Sequence, residues 1–140
     1  MWKMFQAIRS ARGILEISAA ELSVLLEPLS SRLIILDLRR QDEVERYPYI
    51  IPGALLTAKM DVRALIGWLP SRTWVVLYAT DDIPRSFSNL HLLRNNLNFY
   101  ALSGGLRAWW RDDLDLEPVD LYAGHLRVSR LAPARTQEDQ

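Results

Sequence analysis

The sequence predicts an α/β domain built around a mainly parallel sheet. Two observations carry this. Short, nearly continuous apolar runs at residues 33–38 and 74–78 alternate with segments whose apolar residues recur at helical spacing. Those runs lack the polar alternation of a half-exposed strand, so they fit strands covered on both faces. The chain has 140 residues, enough for one domain with its own core and too few for two ordinary ones.

Each element has its own signal. Ile14-Leu15-Glu16-Ile17 reads as a short first strand. Ser18 then caps a helix, and Glu21 completes a capping box three residues on. Leu22, Leu25, Leu26 and Leu29 form that helix's apolar face. Residues 33–38 form a buried strand, and residues 54–57 a shorter one. Asp61 caps a helix carrying Val62, Leu65, Ile66 and Leu69, and Pro70 helps to end it. Residues 74–78 are the clearest strand, rich in aromatic and β-branched side chains. A loop runs from Ala79 to about Pro84. A helix follows, with Phe87, Leu90, Leu93 and Leu97 facing inward. Residues 99–102 make the last strand. Ser103-Gly104-Gly105 turns into a short helix with Ala108, Trp109 and Trp110. The expected division is an extension over 1–13, a domain over 14–118, and a partly disordered extension over 119–140.

Composition narrows the function classes. Hydrophobic residues make up 49% and charged residues 24% of the chain, the mix of a soluble globular protein. Seventeen basic and seventeen acidic side chains balance. Overall neutrality gives no electrostatic ground for nucleic acid or a membrane surface as a general partner. No run approaches the roughly 20 apolar residues of a membrane span, and the expected location is the cytoplasm. The chain has no cysteine, which excludes disulfides, thiolate metal ligands and thiol catalysis. With only His91 and His125 besides, no metal-ligand cluster emerges, and no cofactor is expected.

Four landmarks, in order, resemble those of a rhodanese domain. They are Leu36-Asp37-Leu38-Arg39, Ile51-Pro52-Gly53-Ala54, the strand Val75-Val76-Leu77-Tyr78, and Leu102-Ser103-Gly104-Gly105 followed by Trp109. Each is weak alone; their order and spacing give them weight. The resemblance implies a rhodanese-like fold with a five-stranded, mainly parallel sheet flanked by helices on both faces. The motif residues Asp37, Arg39, Pro52, Gly53, Gly104, Gly105 and Trp109 are read as structural. Pro52 fixes φ in a turn and Gly53 tolerates a positive φ there.

In that family the strand of the third landmark leads into a nucleophilic cysteine, and the following loop wraps an anion with converging N–H groups. Here the loop reads Ala79-Thr80-Asp81-Asp82-Ile83-Pro84-Arg85-Ser86. Ala79 stands at the nucleophile position; aligning Thr80 there instead restores the shorter sulfurtransferase spacing to Arg85. The longer Ala-x5-Arg spacing resembles the phosphatases that share the fold. Either way the thiol is missing, so no residue is assigned a catalytic role. Asp81 and Asp82 bring negative charge to an anion's place. Two like charges about 4 Å apart repel by about 4 kcal/mol at an effective dielectric near 20. Pro84 removes one N–H from the cradle. Thr80 and Ser86 carry hydroxyls, but neither His91 nor His125 is in an evident base pairing with them.

Three functional readings follow. The first is a catalytically inactive rhodanese-like protein with a binding or regulatory role. The second is a thiosulfate or persulfide sulfurtransferase whose cysteine has been replaced at Ala79. The third is an anion-sensing relative of the phosphatases, resting on the longer loop and Arg85. The expected partner is an unspecified protein or a second copy of the chain. Trp2, Met4, Phe5 and Ile8 either pack back on the core or form such a contact. Leu126-Arg127-Val128-Ser129-Arg130-Leu131 is read as a partner-binding strand or as disorder.

Overall fold

Strands β3 (Leu33–Asp37) and β6 (Trp74–Tyr78) pair in parallel along their whole length, from Leu33 opposite Trp74 to Asp37 opposite Tyr78. They are the centre from which the fold is built. The computed structural model describes residues 8–9, 14–120 and 127–128. Around the central pair lie β2 (Leu15–Ile17), β5 (Leu55–Leu56) and β7 (Asn98–Leu102), giving five parallel strands in the order β2-β7-β6-β3-β5. A two-residue strand, β1 (Ile8–Arg9), adds antiparallel to the β2 edge. A small antiparallel sheet joins β4 (Tyr49–Ile50), β8 (Glu117–Asp120) and β9 (Arg127–Val128). β8 therefore straddles residue 118, where the sequence pattern fades.

Side-chain alternation on the central strands divides the core in two. Val76 and Tyr78 join Ile35, Leu22, Leu25, Leu106 and Trp109 on one face. Val75 and Leu77 join Leu36, Ile66, Leu90 and Phe99 on the other. Helices α1 (Ala19–Leu25) and α4 (Gly105–Arg111) thus cover the first face, and α3 (Val62–Trp68) the second. Leu22, Leu36, Ile66, Val75 and Leu77 are wholly inaccessible. Each such side chain contributes roughly 1.5–3 kcal/mol by leaving water.

The helix starts follow from local chemistry. Ser18 Oγ accepts from the Glu21 N–H at 3.0 Å, and Glu21 Oε1 accepts from the Ser18 N–H at 2.9 Å. Asp61 Oδ1 accepts from the Ala64 N–H at 3.1 Å. Each cap satisfies donors that a helix's first turn leaves open.

One expected element differs. The segment after the loop is not an α-helix but two 3-10 turns, Arg85–Phe87 and Leu90–Leu92. Ser88 Oγ donates back to the Arg85 carbonyl at 2.7 Å, and the Ser88 N–H donates to the same oxygen at 3.1 Å. These bonds close a tight turn where an α-helix would continue. Leu90 and Leu97 are still buried, with Phe87 and Leu93 packed against the same core. Helix α2 (Gln41–Arg46) was not expected; Val44 is its one buried residue. Trp2, Met4, Phe5, His125 and the tail from 129 lie outside the described residues.

Candidate functional site

The site begins at the adjacent ends of β3 and β6. Register places Asp37 beside Tyr78, and the Tyr78 hydroxyl donates to Asp37 Oδ2 at 2.6 Å. The Arg39 guanidinium folds back on the same carboxylate: Nε lies 3.0 Å from Oδ1, and Nη2 lies 2.8 Å from Oδ2. Its remaining donors reach the Tyr47 carbonyl at 2.9 Å and the Tyr49 carbonyl at 2.8 Å. The Ile51 N–H donates to the Tyr78 oxygen at 3.3 Å. All three side chains of this hub are buried. Burial, and then the Asp37 charge, pushes the Tyr78 phenol well above its usual range. The hub thus clamps the strand ends to the segment carrying Pro52 and Gly53, where Gly53 has φ of 84°. Asp37 and Arg39 spend their polar atoms on this clamp.

The loop leaves β6 at Ala79, which is buried. It turns its carbonyls toward α4. The Leu106 N–H donates to the Ala79 oxygen and the Arg107 N–H to the Thr80 oxygen, both at 2.9 Å. Gly105 has φ of 59°, and a Cβ there would strike the carbonyl oxygens of Ala79 and Asp81. Its missing side chain is what lets the loop lie against the helix. Asp82 Oδ1 accepts from the Gly104 N–H at 2.8 Å. Asp81 Oδ1 accepts from Arg107 Nε at 2.7 Å, and that bond holds the Asp81 carboxyl below the usual carboxylate range. Trp109 anchors α4 from the core side, its indole N–H donating to the Asp115 carbonyl at 2.7 Å.

Beside the loop opens a cavity of about 380 Å³, lined by Arg39, Glu43, Arg46, Tyr47, Thr80, Leu106, Arg107 and Trp110. Of the two candidate nucleophile positions, Thr80 lines it and Ala79 does not. The Thr80 hydroxyl donates to Glu43 Oε2 at 3.5 Å, so its neighbour is a carboxylate. Neither Asp81 nor Asp82 is among the lining residues; both are drawn outward to α4. Ser86 lies on another cavity, of about 400 Å³, beside Arg63 and Phe87. Ile83 is buried, and Pro84 and Arg85 are exposed. His91 Nδ1 lies 2.7 Å from the Ser88 carbonyl oxygen, so the Nδ1–H tautomer donates there; no bond joins it to Thr80 or Ser86. Among the described residues, no group of three or more His, Cys, Asp or Glu side chains is placed to hold a metal ion.

The lining residues from α2 and the turn after it, Glu43, Arg46 and Tyr47, were missed from sequence, as were Arg107 and Trp110. Trp110 had a legible signal. It follows the inward Trp109 by one residue on a helix, so it must point away from the core.

No family model matches the chain, and no curated protein matches it. Solved structures do match. A thiosulfate sulfurtransferase from Pseudomonas aeruginosa superposes with a TM-score of 0.59 at 22% identity, over 74% of this chain and 19% of its own length. A rhodanese-like domain from Anabaena gives 0.56 at 22% identity, over 74% of this chain and 78% of that one. A possible tyrosine phosphatase from Rhodopseudomonas palustris gives 0.58 at 18% identity, over 80% and 98%. Identities this low establish fold. The chain therefore has a rhodanese-like fold, and it contains no cysteine. Among the described residues no helix is long and apolar enough to cross a membrane.

Proposed function

We propose that the protein is a catalytically silent rhodanese-like module that binds or regulates a protein partner in the cytoplasm, using the cavity beside the loop. The observation that carries the reading is the fastening of that loop. The Leu106 and Arg107 N–H groups of α4 are taken by the Ala79 and Thr80 carbonyls, and the Gly104 N–H by Asp82. These bonds close the start of α4 to an anion and fix the path of the loop along it. No thiol is present to carry sulfur, and the hydroxyl at the cavity wall makes a long 3.5 Å contact to Glu43, a carboxylate already paired with Arg40. The cavity offers Tyr47, Leu106 and Trp110 as an apolar wall, with charged groups at its rim, a composition suited to a side chain of a partner.

The test is a thiosulfate:cyanide sulfurtransferase assay on Ala79→Cys and Thr80→Cys, with the parent chain as blank. Both variants are expected to fold and remain inactive. Turnover by either folded variant overturns the reading. It would favour the alternative, a sulfurtransferase that has lost only its cysteine.

A further inference from the structure

Overall neutrality hides an uneven distribution of charge: one layer is basic and the other mixed. No acidic residue occurs between Asp61 and Asp81, nor between Asp82 and Asp112. The layer built from α3, the two 3-10 turns and their flanking loops therefore carries Arg63, Arg72, Arg85 and Arg94 with almost no countercharge. None of these four guanidiniums pairs with a carboxylate among the described residues. The neighbouring acids are committed elsewhere: Asp61 caps α3, Asp82 caps α4 and Asp81 holds Arg107. The opposite layer is mixed, with Glu21, Asp42, Glu43, Glu45 and Asp112 beside Arg40, Arg46, Arg107 and Arg111.

The same basic layer exposes its largest apolar side chains. Trp68 is 85% exposed and Leu92 70%. They lie on neighbouring segments, which Arg94 ties together. Its Nη1 donates to the Ile66 carbonyl at 3.1 Å and to the Leu69 carbonyl. The Arg72 N–H donates to the Asn96 carbonyl at 2.6 Å, which joins the loop after α3 to the same segment.

We propose that this layer docks on an anionic lipid bilayer, with Trp68 and Leu92 entering the headgroup boundary and Arg63, Arg72 and Arg85 facing lipid phosphates and carboxylates. An indole at a bilayer boundary buries its ring and keeps its N–H wet. Arginines beside an apolar tip add attraction to acidic headgroups. A single-stranded nucleic acid fits less well. Leu92 offers no stacking face, and Trp68 supplies one platform where a bound strand uses several. The inference is independent of the cavity and its occupant.

The experiment is co-sedimentation of the full chain with vesicles of phosphatidylcholine alone and with about one third phosphatidylserine. Binding is expected only to the second, and is expected to weaken steeply with added salt. Trp68→Ala and Leu92→Ala should each lower the bound fraction. Arg63→Gln and Arg72→Gln should each lower the partition coefficient about fivefold. Val24→Ala, on exposed α1 surface, should leave it unchanged. Soluble glycerophosphoserine at equal headgroup concentration should not compete. Equal binding to both vesicles overturns the proposal. So does the absence of binding, its retention in Trp68→Ala, or a preference for a single-stranded oligonucleotide or a second copy of the chain.

Discussion

The hub at the end of β3 and β6 and the loop that follows β6 touch one another, yet they are held by different physics. Asp37, Arg39 and Tyr78 are buried, and the Asp37 carboxylate accepts from Arg39 and Tyr78 in hydrogen bonds as short as 2.8 and 2.6 Å. Such a group is costly to break, because a lone buried charge has nowhere to find water. Beyond its backbone bonds to α4, the loop is fastened by the side chains of Asp81 and Asp82, both exposed, where water screens each contact. The difference separates two things that sequence motifs run together. The hub specifies the fold. The loop borders the proposed site, and its exposed side chains can be changed at little cost to the scaffold.

The sharpest way to break that contrast is at Arg39. Arg39→Met leaves the Asp37 carboxylate buried without its cation, and the Tyr47 and Tyr49 carbonyls without their donor. Chemical denaturation should report a loss of about 3–5 kcal/mol. A loss below 1 kcal/mol would show that the hub is not what specifies the fold. Gly105→Ala comes next, because it strikes the point where the loop meets the helix. It places a Cβ against two carbonyl oxygens at a positive φ, and should cost about 2–3 kcal/mol. It should disturb the loop side of the cavity and not the hub: the Thr80 and Arg107 amide resonances should move while those of the hub stay.

Tyr78→Phe probes the hub more gently. It removes a donor to Asp37 and an acceptor for the Ile51 N–H, at about 1–2 kcal/mol. Tyr78 also sets an alkaline limit. Its phenol is raised in the folded chain, so its contribution is whole below a tyrosine's ordinary value of about 10 and is lost as pH rises from there toward the folded value. Stability measured against pH should fall above about pH 10 in the parent, and less steeply in Tyr78→Phe.

The hub and the loop also differed in how well they could be read. β6 was legible to the residue, because a strand buried on both faces has no choice but an unbroken apolar run. Asp61 and Ser18 were legible as caps, because short polar side chains at a helix start leave little else for the backbone to use. The segment after the loop was misread. Phe87, Leu90 and Leu93 recur every three residues, a spacing that a 3-10 turn satisfies as well as an α-helix. Helix α2 was invisible for the opposite reason: with Val44 its one buried residue, it has no apolar stripe to detect. It supplies Glu43 and Arg46 to the cavity, so the site was only half visible. The direction of Asp81 and Asp82 was hidden as well, since it depends on Arg107 and Gly104, more than twenty residues away in the chain.

The smallest effects fall on the loop's two acids, and they should differ in kind. Asp82→Ala removes a neutral N–H partner and should cost about 0.5–1 kcal/mol, with little response to salt. Asp81→Asn removes one side of an exposed ion pair, so its loss should be smaller still and should vanish as salt screens the pair. The pH dependence follows from the same pair. The hydrogen bond from Arg107, and then its charge, hold the Asp81 carboxyl below the ordinary range in the folded chain. The unfolded chain therefore binds this proton first as the pH falls. The stability from the pair is present above an aspartate's ordinary value of about 4, and is lost as the pH drops through the lowered folded value. Asp42, lowered by its bond to Arg40, acts in the same direction, so Asp81→Asn should flatten the acid limb without removing it. An acid limb unchanged in Asp81→Asn would mean that the Asp81–Arg107 pair adds nothing to the hold of the loop, and that Asp81 is free to meet a partner.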